Sequence, residues 1–221
     1  MIYFLSGLPQ GPWRFRSWLV FGARAFEPSG QRAIIVSVQA ARPSDPDDEY
    51  HDWGPGRDWE TAIGLQLPQL IDARYSTIAT RSGRALVGAS AGGYGAMLVG
   101  LHHLATFSVI ESWSGYYEPT DPTGQNRIAV GSAQQDAYAD AFTYVPGLLK
   151  RLARFPTWIG FYVGDQDSLF LSDNLAFDTA LTHTGVSHRF ALYPGTHGQA
   201  LWQQHATDWL AAAAIHLAQP R

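Results

Sequence analysis

The residues of this chain best suited to chemistry stand in the run Gly88-Ala89-Ser90-Ala91-Gly92, between a short apolar stretch and a small-residue stretch of helical character. A Gly-x-Ser-x-Gly sequence between a strand and a helix is typical of a nucleophile elbow, in which the serine sits on a strained turn. Glycine is needed on both sides because backbone and helix pass closely there. The pattern predicts Ser90 as a nucleophile, with the amide of Ala91 directed at a substrate oxygen. An ordinary glycine-rich turn is the alternative.

A serine hydroxyl is a weak nucleophile at neutral pH, so this interpretation requires a histidine base and a carboxylate that orients it. Of the eight histidines, His197 stands in the loop YPGTHG, residues 193–198, directly after the last predicted strand and before the last predicted helix. Loops that leave the carboxyl ends of strands are where α/β sheets present reactive groups. The position predicts His197 as the base. The alternative is a histidine that caps or packs under the helix.

The orienting carboxylate is expected in the loop after the preceding strand, which reads GDQDS over residues 164–168. Asp165 and Asp167 both meet this requirement. Asp next to Gly also forms Asx turns readily, so one of the two is expected to have only a turn role. The residues alone leave the choice open, and Glu111 at the end of the fourth strand is the next candidate.

Apolar runs alternate with helical stretches along the whole chain, a pattern that predicts a mostly parallel sheet with helices on both faces. Most of the runs are continuously apolar, as strands buried on both faces should be. The predicted strands are 2–5, 33–38, 85–88, 107–111, 157–163 and 189–193, and the predicted helices are 59–74, 91–104 and 199–217. In the first helix Asp58 is the expected N-cap and Pro68 an expected kink or interruption. The last helix carries an apolar stripe that is expected in the core.

Composition limits the classes of protein to consider. A chain of 221 residues can form one α/β domain, 1–221, and 46% hydrophobic with 15% charged residues is typical of a soluble enzyme. The net charge of -4 includes no basic stripe, and no apolar run is long enough for a membrane span, so neither nucleic acid nor a membrane is an expected partner. Zero cysteines exclude disulfides and thiolate chemistry. The first residues lack the features of a signal peptide, which favours the cytoplasm or a chain already stripped of its leader.

Residues around these motifs resemble a known family. The stretches that carry the resemblance are WGPG (53–56), WET (59–61), LPQLIDARY (67–75), VGASAGGYGA (87–96) and YPGTH (193–197) followed by Trp202. They are similar to the Putative esterase family, which includes esterase D (S-formylglutathione hydrolase), feruloyl esterases and the mycolyltransferase antigens. The resemblance covers most of the chain. It implies the α/β-hydrolase fold and serine hydrolase activity that requires no metal or organic cofactor.

The same resemblance assigns further site residues. The sequence GDQD at 164–167 is similar to the family's acid loop, which implies Asp167 rather than Asp165 as the acid. The N-terminal YFLSGL resembles the family's first oxyanion loop, in which the amide after the glycine, here that of Leu8, points at the substrate oxygen. Family members usually carry further strands ahead of this one, so either a compact N-terminus or a trimmed chain is expected.

The sequence indicates the substrate less clearly than it indicates the reaction. The connection over residues 114–155 is long and rich in aromatic residues, which could form a cap over the acyl site or pack onto the sheet. Candidates for substrate contact are Tyr94, Tyr116, Tyr138 and Trp202. The aromatic content favours a small-molecule alkyl or aromatic, feruloyl-like ester over a charged one. Two alternatives are an acyltransferase of the mycolyltransferase type with an alcohol acceptor, and a non-catalytic binding protein of the same fold.

Overall fold

A six-stranded parallel sheet is the centre of the protein. The computed structural model describes residues 1–7, 33–38, 49–121, 124 and 126–219. The sheet has the order β2-β1-β3-β4-β5-β6, and every neighbouring pair is parallel. The strands are β1 (Ile2–Leu5), β2 (Ile35–Val38), β3 (Ala85–Ala89), β4 (Val109–Trp113), β5 (Trp158–Gly164) and β6 (Arg189–Tyr193). The expected mostly parallel sheet is confirmed, and each strand lies within two residues of its predicted bounds.

Six helices flank this sheet in the described part of the chain. The first, α1, runs through Trp59–Thr61, a π-helical stretch Ala62–Gln66, and Leu67–Arg74. The others are α2 (Ala91–His102), α3 (Ala133–Tyr138), α4 (Val145–Arg154), α5 (Leu171–His183) and α6 (Gln199–Ile215), with 3-10 turns at Arg81–Gly83 and Ala141–Tyr144. None of these described helices is both long and apolar enough to cross a lipid bilayer.

The hydrophobic core lies on both faces of the sheet because successive strand residues point to opposite sides. On β5, Tyr162 packs with Trp209 of α6, whereas the preceding Phe161 packs with Phe177 of α5. The predicted stripe of α6 is confirmed as core, since its members Trp202, Ala206, Trp209, Leu210, Ala213 and Leu217 are all buried. Helix α6 therefore covers one face, and α2, α4 and α5 pack against the other.

The start of α1 differs from the expectation in one respect. Asp58 occupies the N-cap position, but its side chain makes no capping bond and instead accepts from the Gly56 amide at 3.2 Å. Asp52 takes over this role, because its carboxylate accepts from both the amide and the hydroxyl of Thr61, at 3.0 and 2.6 Å. The interruption expected at Pro68 is present as a π-helical stretch that ends two residues before it, at Gln66, and accommodates a residue that has no N–H to donate.

The connection over residues 114–155 contains α3, a 3-10 turn and α4. Its aromatic residues divide between the two roles considered above. Tyr117 stacks on Phe177 with ring centroids 4.0 Å apart and is fully buried, whereas Tyr138 is half-exposed. Packing onto the sheet thus accounts for part of the aromatic content, and a cap over the acyl site stays a prediction.

Candidate active site

Ser90 lies at the turn between β3 and α2 in an unusual backbone conformation. Its φ is 56° and its ψ is -124°, a region that residues with a side chain rarely adopt. The Ser90 amide donates to the Trp113 carbonyl at 2.9 Å, and the Ser90 carbonyl accepts from the Tyr94 amide at 3.0 Å. Such strain costs about 1–3 kcal/mol and persists only where the surroundings hold it, which is common at functional sites.

Close backbone packing explains the two glycines that flank this turn. A Cβ at Gly88 would collide with the carbonyl of Gly92, and a Cβ at Gly92 would collide with the carbonyl of Leu5. The first turn of α2 therefore rests directly on the ends of β3 and β1. Both glycines are required because nothing larger than hydrogen fits at either position.

Ser90, His197 and Asp167 form one continuous hydrogen-bonded chain. His197 Nε2 lies 2.9 Å from Ser90 Oγ, and His197 Nδ1 lies 2.8 Å from Asp167 Oδ2. A carboxylate can only accept, so Nδ1 carries the proton in this pair and Nε2 is left to accept from the serine hydroxyl. The Asp167 side chain is completely buried, whereas the His197 side chain is 17% exposed. The hydrogen-bonded chain thus runs from Asp167 in the interior toward solvent.

The two aspartates of the loop after β5 point in different directions. Asp165 accepts from the Gly195 amide at 3.0 Å and so ties its loop to the loop that carries His197. Asp167 uses Oδ1 to accept from the amides of Leu169 and Phe170, both at 3.0 Å, and presents Oδ2 to His197. The structure therefore brings Asp167, and not Asp165, to the imidazole.

Aromatic side chains enclose the imidazole of His197. Phe170 approaches it edge-on with ring centroids 5.1 Å apart, and Trp202 does the same from another side at 5.1 Å and an interplanar angle of 89°. Trp202, a candidate for substrate contact, is 6% exposed and its observed neighbour is this histidine. Phe170 was not predicted as a site residue, although its position three residues after Asp167 could have indicated that it lies near His197.

Glu111, the reserve candidate for the acid, lies elsewhere. It is fully buried on β4, and its Oε2 accepts from Trp113 Nε1 at 3.1 Å. Burial raises the pKa of the Glu111 carboxyl well above its usual range, against the smaller opposing effects of the Trp113 bond and the Arg189 charge. No described hydrogen bond joins Glu111 to His197.

Tyr94 is placed in the core rather than at a surface. It is fully buried, and its hydroxyl lies 2.7 Å from His51 Nε2 and donates to the Ala139 carbonyl at 2.7 Å. Burial lowers the pKa of His51 to about 4, so this imidazole is neutral at pH 7. The direct substrate contact expected of Tyr94 is therefore not available, because the α2 face that carries it turns inward.

The other two tyrosines border separate cavities. Tyr116 is 3% exposed, stacks on Tyr94 at 4.8 Å, and borders a cavity of about 330 Å³ together with Leu169 and Phe170. Tyr138 is 49% exposed and borders a second cavity of about 290 Å³. Phe170 lines the first cavity and also packs edge-on against His197, so this residue links that cavity to the histidine.

Tyr138 is anchored by a buried carboxylate. Its hydroxyl donates to Glu60 Oε1 at 2.7 Å, and His102 Nδ1 and His103 Nε2 approach the same oxygen at 2.7 and 3.3 Å. Burial acts to raise the pKa of Glu60, but the hydrogen bonds from the two histidines and from Tyr138 outweigh it and lower the pKa to about 2. Both histidines therefore pack around the Glu60 carboxylate.

The candidates for the oxyanion site are only partly described. Ala91 is the first residue of α2 and is buried. Its amide is therefore one of the first N–H groups of the helix, which have no hydrogen-bond acceptor within the helix. Leu8 lies outside the described residues, which reach Gly7. Within the part of the chain that the structure describes, no group of three or more His, Asp or Glu residues is placed to hold a metal ion.

Comparison with known proteins places this geometry in a family. The Putative esterase family matches residues 1–213, which is nearly the whole chain. The chain belongs to the Putative esterase family. One curated relative of this chain is the MPT51/MPB51 antigen of Mycobacterium tuberculosis. The two sequences are 28% identical over 135 residues, which are 60% of this chain and 43% of the relative. The match thus spans less than half the length of that protein.

Solved structures similar to this esterase-family chain agree on the fold. A ferulic acid esterase superposes with a TM-score of 0.81 at 24% identity, over 98% of this chain and 84% of the other. An S-formylglutathione hydrolase from Agrobacterium tumefaciens gives 0.77 at 20% identity, over 98% and 84%. MPT51 of Mycobacterium tuberculosis gives 0.72 at 19%, over 98% and 89%. The predicted α/β-hydrolase fold is confirmed.

Proposed function

We propose that the protein is a serine esterase that cleaves carboxylic esters through an acyl-enzyme. Ser90 is the nucleophile, His197 the general base and acid, and Asp167 the carboxylate that orients the imidazole. One observation carries the proposal: the unbroken Ser90–His197–Asp167 hydrogen-bond chain, with distances of 2.9 and 2.8 Å, starts at a strained strand-to-helix turn. Membership of the Putative esterase family supports it.

The mechanism follows from the direction of these bonds. Ser90 Oγ attacks the ester carbonyl carbon while its proton moves to His197 Nε2, and Asp167 stabilises the imidazolium that forms. The imidazolium then gives this proton to the departing alkoxide, which leaves the acyl group on Ser90. In the second half of the reaction a water molecule attacks the acyl carbonyl carbon while its proton moves to His197 Nε2. The imidazolium then returns the proton to Ser90 Oγ as that oxygen leaves, which releases the carboxylic acid. Backbone amides stabilise the tetrahedral oxyanion in both halves, and we assign this role to Ala91 and Leu8.

The proposed substrate is a small alkyl or aromatic ester of the feruloyl type. The cavity of about 330 Å³ beside Phe170 supports it, because Tyr116, Leu169 and Phe170 give that cavity an apolar wall and Phe170 also packs against His197. The cavity also has Asp173 on its wall. Burial raises the pKa of this aspartate to about 7, against the hydrogen bond from the Tyr117 amide, so its charge is pH-dependent near neutrality.

Two alternatives share the fold. An acyltransferase uses the same steps up to the acyl-enzyme and then passes the acyl group to an alcohol in place of water. Product analysis with and without an added alcohol acceptor separates the two, because only the transferase forms a new ester at the expense of the free acid. A non-catalytic binding protein would give neither product.

A fluorophosphonate probe tests the nucleophile directly. We expect the adduct on Ser90 after peptide mapping, and none in Ser90→Ala. Ser114→Ala is a matched control, since Ser114 also has a positive φ, 45°, but is fully buried. A panel of p-nitrophenyl esters of increasing chain length, with methyl ferulate, then measures activity and acyl size. An adduct on another residue, or Ser90→Ala with undiminished turnover, would refute the assignment.

A further inference from the structure

Three consecutive residues, Glu49, Tyr50 and His51, form hydrogen bonds to three different segments around the candidate active site. The Tyr50 hydroxyl donates to the Ser6 carbonyl at 2.5 Å in the loop after β1. His51 Nε2 meets the Tyr94 hydroxyl on α2, and a Glu49 carboxylate oxygen accepts from the hydroxyl of Tyr116. All three residues are buried. This segment therefore connects the first loop, the helix after Ser90 and the long connection.

The bond from Tyr50 acts on backbone that touches the nucleophile. Ser6 is fully buried, and the following Gly7 is so close to Ser90 that a Cβ on Gly7 would lie 2.9 Å from Ser90 Cβ and 2.8 Å from the Ala89 carbonyl oxygen. The carbonyl of Ser6 and the amide of Gly7 belong to one rigid peptide plane. A hydrogen bond that fixes this carbonyl consequently fixes the orientation of the chain as it passes Ser90.

The ring of Tyr50 is held in place by a gap in α2. Tyr50 is fully buried, and Gly95 faces it, so that a Cβ at Gly95 would collide with the Tyr50 ring. Gly95 thus provides the space through which the phenol reaches Ser6. The hydroxyl cannot be replaced by solvent, because both Tyr50 and its acceptor are buried.

We infer that Tyr50 is a positioning residue for the nucleophile, an inference that rests on the proposed function. Its hydroxyl holds the Ser6–Gly7 peptide plane, and Gly7 in turn packs against Ala89 and Ser90. Tyr50 is buried and does not touch the substrate. Its effect falls on the transition state, because a nucleophile that is displaced by a fraction of an ångström still permits substrate binding but is less well aligned for attack.

Tyr50→Phe removes the hydroxyl and keeps the ring. Since a misplacement of about 1 Å can cost about 10² in rate, we expect a displaced nucleophile to lower kcat about tenfold or more, with KM changed less than about threefold. Affinity for an alkyl boronic acid, which forms a tetrahedral adduct on an active serine, should fall by the same factor as kcat/KM. Fluorophosphonate labelling of Ser90 should still occur.

Tyr117→Phe is the matched control. Tyr117 is also fully buried and its hydroxyl likewise donates to a buried acceptor, Asn174 Oδ1 at 3.0 Å, but on the other side of the connection. Both variants should lose comparable stability, seen as similar downward shifts of the urea midpoint of unfolding, because each removes one buried hydrogen bond. Only Tyr50→Phe should lower kcat and boronate affinity selectively.

Gly95→Ala gives a second route to the same bond. The added Cβ would press on the Tyr50 ring and draw its hydroxyl away from Ser6, so the same selective loss in kcat is expected, whereas Gly147→Ala, where a Cβ meets nothing within 4 Å, should have no effect. If Tyr50→Phe does not fold, the Gly95 and Gly147 pair decides the question. Equal kcat values in Tyr50→Phe and Tyr117→Phe would overturn the inference. Undiminished activity in Ser90→Ala would instead overturn the proposed function.

Discussion

Replacing Asp167 by Asn changes one hydrogen bond of the proposed catalytic site and leaves two others intact. Oδ1 of Asp167 accepts from the amides of Leu169 and Phe170, so the oxygen of the new side chain must remain there to keep both bonds. The NH₂ group is then the part that faces His197 Nδ1, at the position where Oδ2 now lies 2.8 Å away. Two donors cannot share this contact, so Nδ1 must give up its proton and become the acceptor.

The consequence for catalysis is a histidine in the wrong tautomer. A neutral imidazole whose Nδ1 accepts carries its proton on Nε2, so that Nε2 can no longer take the proton of Ser90 Oγ. The same substitution in a serine protease lowers kcat about 10⁴-fold. This corresponds to about 5.5 kcal/mol of lost transition-state stabilisation. Folding should change little, because the two backbone bonds to the side chain persist.

Asp165→Asn is the matched control. The Asp165 side chain accepts from the Gly195 amide at 3.0 Å, and an asparagine oxygen can accept the same bond. We therefore expect less than about a tenfold change in kcat, because the bond that ties the two loops together is preserved. The assay is kcat on a p-nitrophenyl ester for both variants, with urea unfolding to verify that both fold. The opposite ranking would assign the acid to Asp165, and full activity in both variants would refute an aspartate acid in this loop.

Three further measurements bear on the site and its core. The value of kcat/KM should rise with pH as the histidine base loses its proton, and a flat profile from about pH 5 to 9 would contradict a histidine base. Because burial raises the pKa of Glu111 well above its usual range, stability should decline by about 1.4 kcal/mol per pH unit above the unfolded carboxyl pKa of about 4.3. Glu111→Gln should remove this slope in urea unfolding, and unchanged slopes would show that the carboxyl is ionised in the fold. Tyr138→Ala should alter KM or acyl preference if Tyr138 contacts substrate. Tyr116→Ala should do the same if Tyr116 contacts substrate, and it should in addition lower the free energy of unfolding by about 3–5 kcal/mol, because it truncates a buried aromatic side chain.

The strands were predictable because burial on both faces leaves a local mark. A strand of a parallel sheet that is covered on both sides is a continuous apolar run bounded by turn residues, and strands β1, β3 and β5 have this form. Three helices of the second half, α3, α4 and α5, were not predicted, whereas α6 was. Helix α3 (Ala133–Tyr138) buries none of its residues, so it has no apolar stripe. Its signal is the capping box formed by Ser132 and Gln135, which polar residues in any loop can imitate.

Helix α4 was missed for a different reason. Its sequence begins Val145-Pro146-Gly147, and proline and glycine together are more typical of a turn. Proline is tolerated in the first turn of a helix, however, because the missing N–H would have no partner within the helix. Val145 and Leu148 are buried, so packing of this apolar edge onto the core stabilises the helix despite the residues at its start.

The candidate site divides in the same way between local and distant causes. Ser90, Asp167 and His197 each follow the carboxyl end of a strand, and parallel strands bring these ends to one edge of the sheet. Pairing of Gly164 with Tyr193 then sets the acid loop beside the histidine loop. A pattern within each short stretch was therefore enough to predict which loops meet, before any side-chain contact was known.

The roles of Tyr50 and Tyr94 could not be read in this way. Tyr94 stood in a motif close to Ser90 and was expected at the substrate, yet the rotation of α2 directs it to His51 in the core. Tyr50 stood in no recognised motif, yet its hydroxyl reaches the loop beside Ser90 from 44 residues away in sequence. Which way a buried tyrosine points depends on where distant elements leave space, such as the gap at Gly95. Proximity to a motif therefore predicts backbone position well and side-chain role poorly, and substitutions of hydroxyl groups rather than whole residues are the perturbations that separate the two.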